Sequence, residues 1–382
     1  MLLERQFQVT VFKLTNEGLE ALGDLTQYTS IKWPNAFVGY GSFEVWAPIN
    51  DENSLYFKKG QILWDNEKSA AIIECVKSIV DEDGTKSFDV KGRTLERFLM
   101  DRIIWGTLTY TNKKASTIMY DIVDKQCINP TDPNRKIPWL INAEDTEIGL
   151  TVDSYQKTGG YVYDALSSLS TDSDIGFSIY PDQTLMRLVF EVQGGTDRTI
   201  ENEDDNNPVV FETDLHDILS STYYTNGEDA RTVAFVQGED TGSARKSVVV
   251  GESTGVGFDR RELYIDARDV QSEVYDESGQ SIVIPEAEYL QMLTQRGNEK
   301  LSEYYVVETF EAQIRQFGDV QYEYGEDFFL GDKVTVIDGE LGVQVSARIL
   351  EVEEDISDRY ELILKFGYSY PTILDKVKRE TT

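Results

Sequence analysis

Short β-type segments separated by turn residues constrain the fold of this chain more than any other feature. Residues 70–80 (AAIIECVKSIV) and 85–92 (TKSFDVKG) are β-rich, and the Asp-Gly pair between them is typical of a hairpin turn. The segments FQVTVFKL, TSIKWP, SFEVWAP and QILWD add further short strands at close spacing. The pattern predicts an N-terminal β domain over residues 1–95, either a barrel or a sandwich.

Residues 96–208 change to a mixture of helical and strand patterns. The segment NKKASTIMYDIVDKQC places apolar residues on one helical stripe, and GGYVYDALSSLS does the same after two glycines. The segment IGFSIYPDQTLMRLVFEVQGG returns to a hairpin pattern. The acidic, turn-rich ENEDDNNP at 201–208 is typical of a connector. We therefore predict an α/β insert domain that ends near residue 208.

The rest of the chain is again rich in predicted strands. Residues 209–306 form a second predicted α/β domain, with strands followed by a helix over 285–305, and Pro285 suits the first turn of that helix. Gly297 interrupts the helix, at a cost of about 1 kcal/mol relative to alanine. Residues 307–382 contain further strand patterns and a polar tail, and form a predicted C-terminal β domain. The predicted fold class is mainly β with an α+β insert.

The charge of the chain excludes one class of function. With 69 acidic and 36 basic residues, the formal net charge is −33. Sequence-independent nucleic-acid binding depends on cation–phosphate contacts, so this chain is a poor candidate for it. A surface this acidic repels DNA and anionic membranes, which suits the wall of a channel in which DNA slides. Solubility or salt tolerance is the alternative explanation of the charge.

The lack of a signal-peptide pattern and the low number of cysteines predict synthesis in a cytoplasm. Glu4 and Arg5 interrupt the apolar core that a signal peptide requires. No window approaches the roughly 18 consecutive apolar residues of a membrane-spanning helix. Cys75 and Cys127 are too few for a disulfide framework, and we predict that both are reduced packing residues.

No motif selects a catalytic centre. The segment GESTG at 251–255 matches the G-x-S-x-G nucleophile pattern, but a predicted strand follows it where that pattern requires a helix. The only histidine, His216, precedes Ser253, whereas the hydrolase order places the histidine after the serine. We therefore interpret GESTG as a glycine-rich hairpin loop and predict no catalytic residue. Paired carboxylates for glycoside hydrolysis stay an open alternative among so many acidic residues.

The acidic segments of the chain do not have the residue spacing that metal-binding motifs require. The segment DEDGTKSFDVKG begins like a calcium loop, but Lys86 and Gly92 occupy the positions that require glycine and glutamate. We interpret the acidic cluster Glu203, Asp204 and Asp205 as a solvated turn, with a loosely held calcium ion as the alternative. The sequence predicts no metal site and no cofactor.

Five segments occur in a characteristic order along the chain. They are YGSFEVWAP (40–48), KGRTLERFLMDRII (91–104), ELYIDARDV (262–270), LTQRGNEKLSEY (293–304) and YGEDFFLGDKVTV (324–336). Together they resemble the siphovirus tail-hub family, the N-terminal (Gp37-like) part of tail-associated lysins. That family is similar in fold to the hub of contractile-phage baseplates. The resemblance covers roughly residues 5–370.

The resemblance implies a multidomain phage tail hub in which two β-barrel domains flank an α/β middle. It implies a homotrimer whose six barrels form a ring between the six-fold tail tube and the three-fold tip. The implied partners are the distal tail protein, the tail tube protein and the tape-measure protein, with DNA passing through the lumen without specific binding. The implied location is the virion, at the tail tip or baseplate.

Four residues in these segments are candidates for structural or trimer-interface roles. Arg97 and Arg102 lie in the short amphipathic segment after the first β domain, and we expect them to pair with acids within the subunit or across the trimer. Gly331 and Asp332 form a predicted turn that opens a strand, and we interpret them as fold-forming.

Two other functions stay open at this point. One is a tail-associated lysin that degrades cell-wall glycan or peptide with an unrecognised acid pair. Longer relatives carry an enzymatic or receptor-reading segment after the hub, whereas this chain ends about a dozen residues past its last predicted strand, so we expect another chain to supply that activity. The other is an acidic carbohydrate-binding β protein whose aromatic residues stack on sugars.

Overall fold

β-Strands dominate the structure, a computed structural model that describes most of the chain. The described residues are 8–213, 217–239, 245–251, 256–275, 281–304, 306–315, 320–339, 343–357 and 359–367. His216 and Ser253 lie outside these ranges. The prediction of a mainly β fold is confirmed.

The N-terminal strands form a continuous antiparallel run in the order β3-β4-β7-β6-β5-β1-β2. The elements are β1 (Thr10–Leu14), β2 (Leu19–Asp24), β3 (Ser30–Ala36), β4 (Ser42–Pro48), α1 (Asp51–Tyr56), β5 (Ile62–Trp64), β6 (Ala70–Val80) and β7 (Lys86–Thr94). Every second side chain along β3 and β4 is buried, and Trp33, Phe43 and Val90 belong to the hydrophobic core of these strands. The predicted hairpin is confirmed, with Val80 opposite Lys86 across β6 and β7.

Helix α1 was not predicted, because residues 1–95 were interpreted as β throughout. Its start signal is local: Asn50 Oδ1 accepts a hydrogen bond from the Asn53 main-chain N–H at 2.7 Å, and Asp51 and Glu52 occupy the first turn. Side-chain capping and acidic residues at a helix N-terminus both stabilise a short helix.

The middle of the chain combines two helices with short sheets. A 3₁₀ helix (Leu95–Asp101) leads into β8 (Thr107–Lys114), α2 (Ala115–Val123), a π-helical turn (Asp124–Ile128), a 3₁₀ turn (Pro133–Arg135), β9 (Leu140–Asn142), β10 (Thr151–Thr158), α3 (Val162–Ser173), β11 (Gly176–Asp182) and β12 (Arg187–Gln193). Strands β8 and β10 form an antiparallel ribbon, and β11-β12-β9 form a small sheet. Both predicted helical stripes are buried, and the predicted β11–β12 hairpin is confirmed.

A second mixed region begins just before the acidic connector and continues after it. Its elements are β13 (Asp197–Arg198), β14 (Val210–Glu212), β15 (Ile218–Asn226), β16 (Val233–Gln237), β17 (Ser247–Gly251), a 3₁₀ turn (Gly257–Asp259), β18 (Glu262–Asp266), β19 (Glu273–Tyr275), β20 (Ser281–Val283) and α4 (Glu286–Ser302). Helix α4 packs on the sheet β17-β16-β18 through Met292 and Leu293. It runs unbroken through Gly297.

The strands on either side of GESTG do not pair with each other. Strand β17 pairs antiparallel with β16, and β18 pairs parallel with β16 on its other side. The hairpin interpretation of this loop is therefore wrong, because a parallel partner requires the chain to cross over β16.

The C-terminal strands join the N-terminal strands in one sheet. They are β21 (Val307–Ile314), β22 (Lys333–Asp338), β23 (Val343–Ile356) and β24 (Tyr360–Gly367). Strand β23 is 14 residues long. It pairs with β22 and β24, and also with β3, where Glu351 lies opposite Ala36 and Ile356 opposite Ile31. Within the described residues the main strand path runs openly from β15 to β2, so neither expected barrel is confirmed as a closed ring.

The two cysteines differ in their surroundings. Cys127 is buried in the middle region, and burial raises the pKa of its thiol to about 12. Cys75 is exposed on β6. The prediction of a packing role is therefore wrong for Cys75, whose side chain faces solvent.

Candidate functional site

Groups from distant parts of the sequence meet where the N-terminal and C-terminal strands join. We name this cluster the Arg348 junction. It consists of Phe37 just after β3, Asp174 just after α3, Gly331 and Asp332 just before β22, and Arg348 within β23. The pairing of β3 with β23 brings these segments together, because the main-chain N–H of Phe37 donates to the Leu350 carbonyl at 2.8 Å.

The Arg348 guanidinium lies at the centre of the junction. Its Nε donates to Asp174 Oδ1 at 2.7 Å, and its Nη2 donates to Asp174 Oδ2. Its Nη1 donates to the main-chain carbonyl of Gly331. The guanidinium carbon is 5.0 Å from the centre of the Phe37 ring, within cation–π range. This combination requires the planar, forked donor set of arginine, which lysine does not have.

Asp174 ties the end of α3 to the C-terminal strands. Lys333 Nζ lies 2.9 Å from Asp174 Oδ2, on the same carboxylate that Arg348 binds. Burial alone would raise the pKa of Asp174, but hydrogen bonds and charge from Arg348 and Lys333 outweigh it and hold that pKa below its usual value. The carboxylate is therefore charged at neutral pH and keeps both cations in place.

Glycines let the main chain approach the Phe37 ring closely. Gly331 has φ +89°, and a Cβ on it would lie 2.4 Å from Phe37 Cε2. A Cβ on Gly176, the first residue of β11, would lie 2.5 Å from Phe37 Cδ2. A Cβ on Gly195 would lie 1.5 Å from the Gly331 carbonyl oxygen. Side chains at these positions would separate the three segments that the junction holds together.

Asp332 binds the segment before β13 to the start of β22. Its side chain is 4% exposed, and Oδ1 accepts from the Thr196 main-chain N–H at 2.9 Å. Its Oδ2 accepts from Arg198 Nε at 2.9 Å and from the Phe329 main-chain N–H at 3.0 Å. The two oxygens thus satisfy donors from two chain segments, which is a structural arrangement with no free ligand position.

Arg97 and Arg102 both find partners within the chain. Arg97 pairs with Glu74 Oε1 at 3.2 Å and with Asp101 Oδ2 at 3.1 Å. Arg102 Nε donates to the Arg135 carbonyl at 2.6 Å, and its Nη1 donates to the Asp101 carbonyl at 3.0 Å. Among the described residues, no carboxylate lies within ion-pair distance of Arg102. Arg102 therefore fixes main-chain groups of the 3₁₀ segments at Leu95–Asp101 and Pro133–Arg135.

A buried acid, Glu96, holds the same 3₁₀ helix against β11. Its side-chain oxygen accepts a hydrogen bond from the Ile179 main-chain N–H at 2.8 Å. Burial raises the pKa of Glu96 to about 7, against smaller lowering effects of hydrogen bonds from Thr94 and Ile179. The sequence pattern did not single out Glu96, because nothing local distinguishes it from an exposed helix residue.

These arrangements support assembly of the fold and offer no reaction chemistry. Every polar group of the junction is matched with a partner from another segment, so none is positioned as a nucleophile or base. No cluster of three metal-ligating side chains is found within the described ranges. Gly331 and Asp332 were predicted, whereas Arg348 and Asp174 were missed, because they are distant in sequence and no motif links them.

The sequence profile of one protein family matches nearly the whole chain. The family is described as "Siphovirus ReqiPepy6 Gp37-like protein", and the match spans residues 10–368. No curated protein matches the chain.

Solved structures of tail proteins share the fold. A prophage MuSo2 43 kDa tail protein from Shewanella oneidensis aligns with a TM-score of 0.55 at 15% identity, over 95% of this chain and 98% of its own. A tail protein from Neisseria meningitidis MC58 aligns with a TM-score of 0.53 at 15% identity, over 94% of this chain and 96% of its own. At 15% identity, the structural similarity to these two proteins establishes a shared fold. No helix in the described part of the chain is long and apolar enough to cross a membrane.

Proposed function

Because the chain belongs to the Siphovirus ReqiPepy6 Gp37-like family, we propose that it is a structural hub of a bacteriophage tail or prophage-derived tail particle. The observation that carries this proposal is the Arg348 junction together with the β3–β23 pairing. Both hold two β-rich regions of one chain side by side. A homotrimer built from such a chain presents six β-rich regions, which suits a joint between a six-fold tube and a three-fold tip.

The proposal assigns barrel-like domains to the two ends of the chain. Residues 1–95 and 307–382 are the proposed barrels, and residues 96–208 and 209–306 are the proposed intervening domains. Separate hydrophobic cores in the N-terminal and C-terminal strands support two distinct β regions, and the C-terminal core also includes Val209, Phe211 and Ile218 from before residue 307. The Arg348 junction would then set the angle between the two barrels of one subunit.

The charge supports a passive role toward DNA. A net charge of −33 per copy repels phosphate groups, so DNA would slide through the lumen of the ring without specific binding. Proposed partners are the distal tail protein, the tail tube protein and the tape-measure protein. The proposed location is the tip of the tail in the virion, after synthesis in the bacterial cytoplasm.

The four candidate residues receive structural roles in this proposal. Gly331 and Asp332 shape the turn that enters the Arg348 junction, and Arg97 and Arg102 brace the 3₁₀ helix within one subunit. We propose no catalytic role for the chain. Purified peptidoglycan should accordingly stay intact when incubated with it.

The mass of the purified chain in solution tests the proposed trimer. One subunit is 43.4 kDa, and light scattering after size exclusion should give three times that mass. Negative-stain images should then show a ring. A monomeric mass at every concentration, both alone and with the distal tail protein added, would contradict the homotrimer.

A further inference from the structure

Three lysines surround a cleft on the N-terminal strands of this acidic chain. The cleft lies between β1, β2 and the segment after α1, and has a volume of about 460 Å³. Lys13, Lys58 and Lys59 supply its cations, and Leu14, Leu22 and Leu55 supply apolar surface. We name it the lysine cleft. Leu55 is 59% exposed, so apolar surface is available beside the charges.

The lysines of this cleft make no direct ion pair within the described part of the chain, although Glu20 lies opposite Lys13 across β1 and β2 and Lys59 lies near Glu74. Many lysines on the chain pair with a carboxylate, as Lys91 does with Glu44 at 2.8 Å. Over the described residues, no carboxylate lies within ion-pair distance of Lys13, Lys58 or Lys59. In a chain of net charge −33, this leaves a local cationic site that is suited to an acidic, partly apolar segment.

The connector before β14 offers such a segment, which we name the 200–205 loop. Its Ile200 side chain is 55% exposed, and acidic residues follow directly after it. These acids are Glu201, Glu203, Asp204 and Asp205, and all four are exposed. None of the four makes a side-chain hydrogen bond or ion pair with another described residue.

The 200–205 loop is held in shape by its own amide side chains. Asn202 Nδ2 donates to the Thr199 carbonyl at 2.7 Å, and the Asn206 N–H donates to Asn202 Oδ1 at 3.0 Å. Asn206 Nδ2 donates to the Asp197 carbonyl at 2.9 Å. A preformed loop loses little conformational entropy when it binds, so it is a better ligand than a flexible acidic chain.

The positions of the cleft and the loop fit a head-to-tail contact between copies. Strands β3 and β23 already join the two β regions within one copy, and β1 and β2 lie at the other end of the N-terminal strand order. The loop rests on β22, where the Ile200 N–H donates to Thr335 Oγ1 at 3.1 Å. A contact from the N-terminal region of one copy to the C-terminal region of the next can repeat around a ring until it closes.

We propose that the 200–205 loop of one copy occupies the lysine cleft of the next copy. Glu203 and Asp204 pair with Lys58 and Lys59, and Ile200 contacts the leucines of the cleft. This contact rests on the proposed homotrimer and assigns the surfaces that build it. Because the contact joins opposite charges at the surface, it weakens as salt screens them.

Charge reversal on each side tests the contact. The variants are Lys58→Glu/Lys59→Glu, Glu203→Lys/Asp204→Lys, and the combination of all four substitutions. Controls with the same change in net charge are Lys77→Glu/Lys86→Glu and Glu228→Lys/Asp229→Lys, at exposed positions outside both surfaces. Subunit mass is measured by light scattering across a concentration series, and circular dichroism checks that each variant is folded.

Each two-residue reversal on the contact should raise the trimer dissociation constant at least about tenfold. The four-residue swap should return this constant to the wild-type value. The controls should keep the wild-type constant. A wild-type trimer that both contact reversals leave intact overturns this contact but not the homotrimer, and another anionic partner of the cleft then becomes the better assignment. A folded four-residue swap that stays dissociated also overturns the contact. A wild-type monomer under all conditions overturns the homotrimer and the contact together.

Discussion

At the scale of single residues, Gly331 shows how one main-chain angle determines the packing of the Arg348 junction. Its φ of +89° is matched by Gly60 at +88°, but a Cβ on Gly60 meets nothing within 4 Å. Both Gly→Ala changes incur the backbone strain of a left-handed alanine, about 1 kcal/mol. Gly331→Ala should lower the free energy of unfolding by a further 1–3 kcal/mol or so, because its methyl group overlaps the Phe37 ring.

Urea unfolding of the two alanine variants measures this difference directly. Equal losses for Gly60→Ala and Gly331→Ala would show that the Phe37 ring moves aside without cost. The close approach at Gly331 would then have no energetic role.

The buried side chain of Glu96 predicts that the stability of the protein depends on pH. Its pKa is about 7 in the folded protein against 4.5 for an ordinary glutamate, so the folded state keeps a proton that the unfolded chain loses between these values. Stability from this group is fully present below pH 4.5 and is lost as the pH rises through about 7. Glu96→Gln keeps an oxygen for the Ile179 N–H and has no proton to lose. Between pH 4.5 and pH 8, the free energy of unfolding of Glu96→Gln should rise by up to about 3 kcal/mol relative to that of the wild type.

Denaturant unfolding at the two pH values checks the prediction for Glu96. Glu82→Gln, in the exposed turn between β6 and β7, is the control and should show no such difference. A wild-type-to-Glu96→Gln difference that is the same at both pH values would mean that folding does not raise the pKa of Glu96.

At the scale of elements, Gly297 controls how closely α4 packs on its sheet. A Cβ on Gly297 would lie 2.7 Å from Cγ2 of both Val236 and Val250. Alanine improves helix propensity by about 1 kcal/mol, but overpacking of this contact costs about 1–3 kcal/mol. Gly297→Ala should therefore lower the free energy of unfolding, whereas Asn298→Ala on the exposed side of α4 should leave it equal or slightly raise it.

Thermal and urea unfolding of these two helix variants give the comparison. Adding Val250→Ala to Gly297→Ala should recover part of the loss, because the removed methyl groups make room for the new one. A Gly297→Ala protein as stable as Asn298→Ala would show that α4 can shift outward freely.

Elements with a local signal could be predicted, and those that depend on distant partners could not. The α2 and α3 stripes and the β6–β7 hairpin are encoded in the periodicity and turn residues of contiguous segments. Gly297 looked like a helix interruption because its neighbours Val236 and Val250 lie in other segments. The turn at Gly331 and Asp332 was identified, but the Arg348–Asp174 pair spans 174 positions and has no local pattern.

At the scale of the whole molecule, the β3–β23 pairing couples the two ends of the chain. All five tryptophans precede residue 140, so intrinsic fluorescence reports on the N-terminal half. A Tyr322→Trp reporter, beside Phe211 in the C-terminal core, reports on the other half. Because the shared sheet and the Arg348 junction link both cores, the two signals should show one common unfolding midpoint.

The control for this coupling is the same reporter in an Arg348→Met background. Loss of the buried arginine removes the two-pronged partner of the Asp174 carboxylate, at a cost of about 3 kcal/mol, and should separate the two midpoints. Two midpoints already present in the reporter protein with Arg348 intact would show that the halves unfold independently.

The length of β23 has a mechanical consequence. Its antiparallel hydrogen bonds to β3 run across the boundary between the two β regions. A force that slides one region along the strand direction loads these bonds together, whereas a force that lifts the regions apart loads them one after another. The pairing is therefore expected to resist sliding of the two β regions more strongly than their separation.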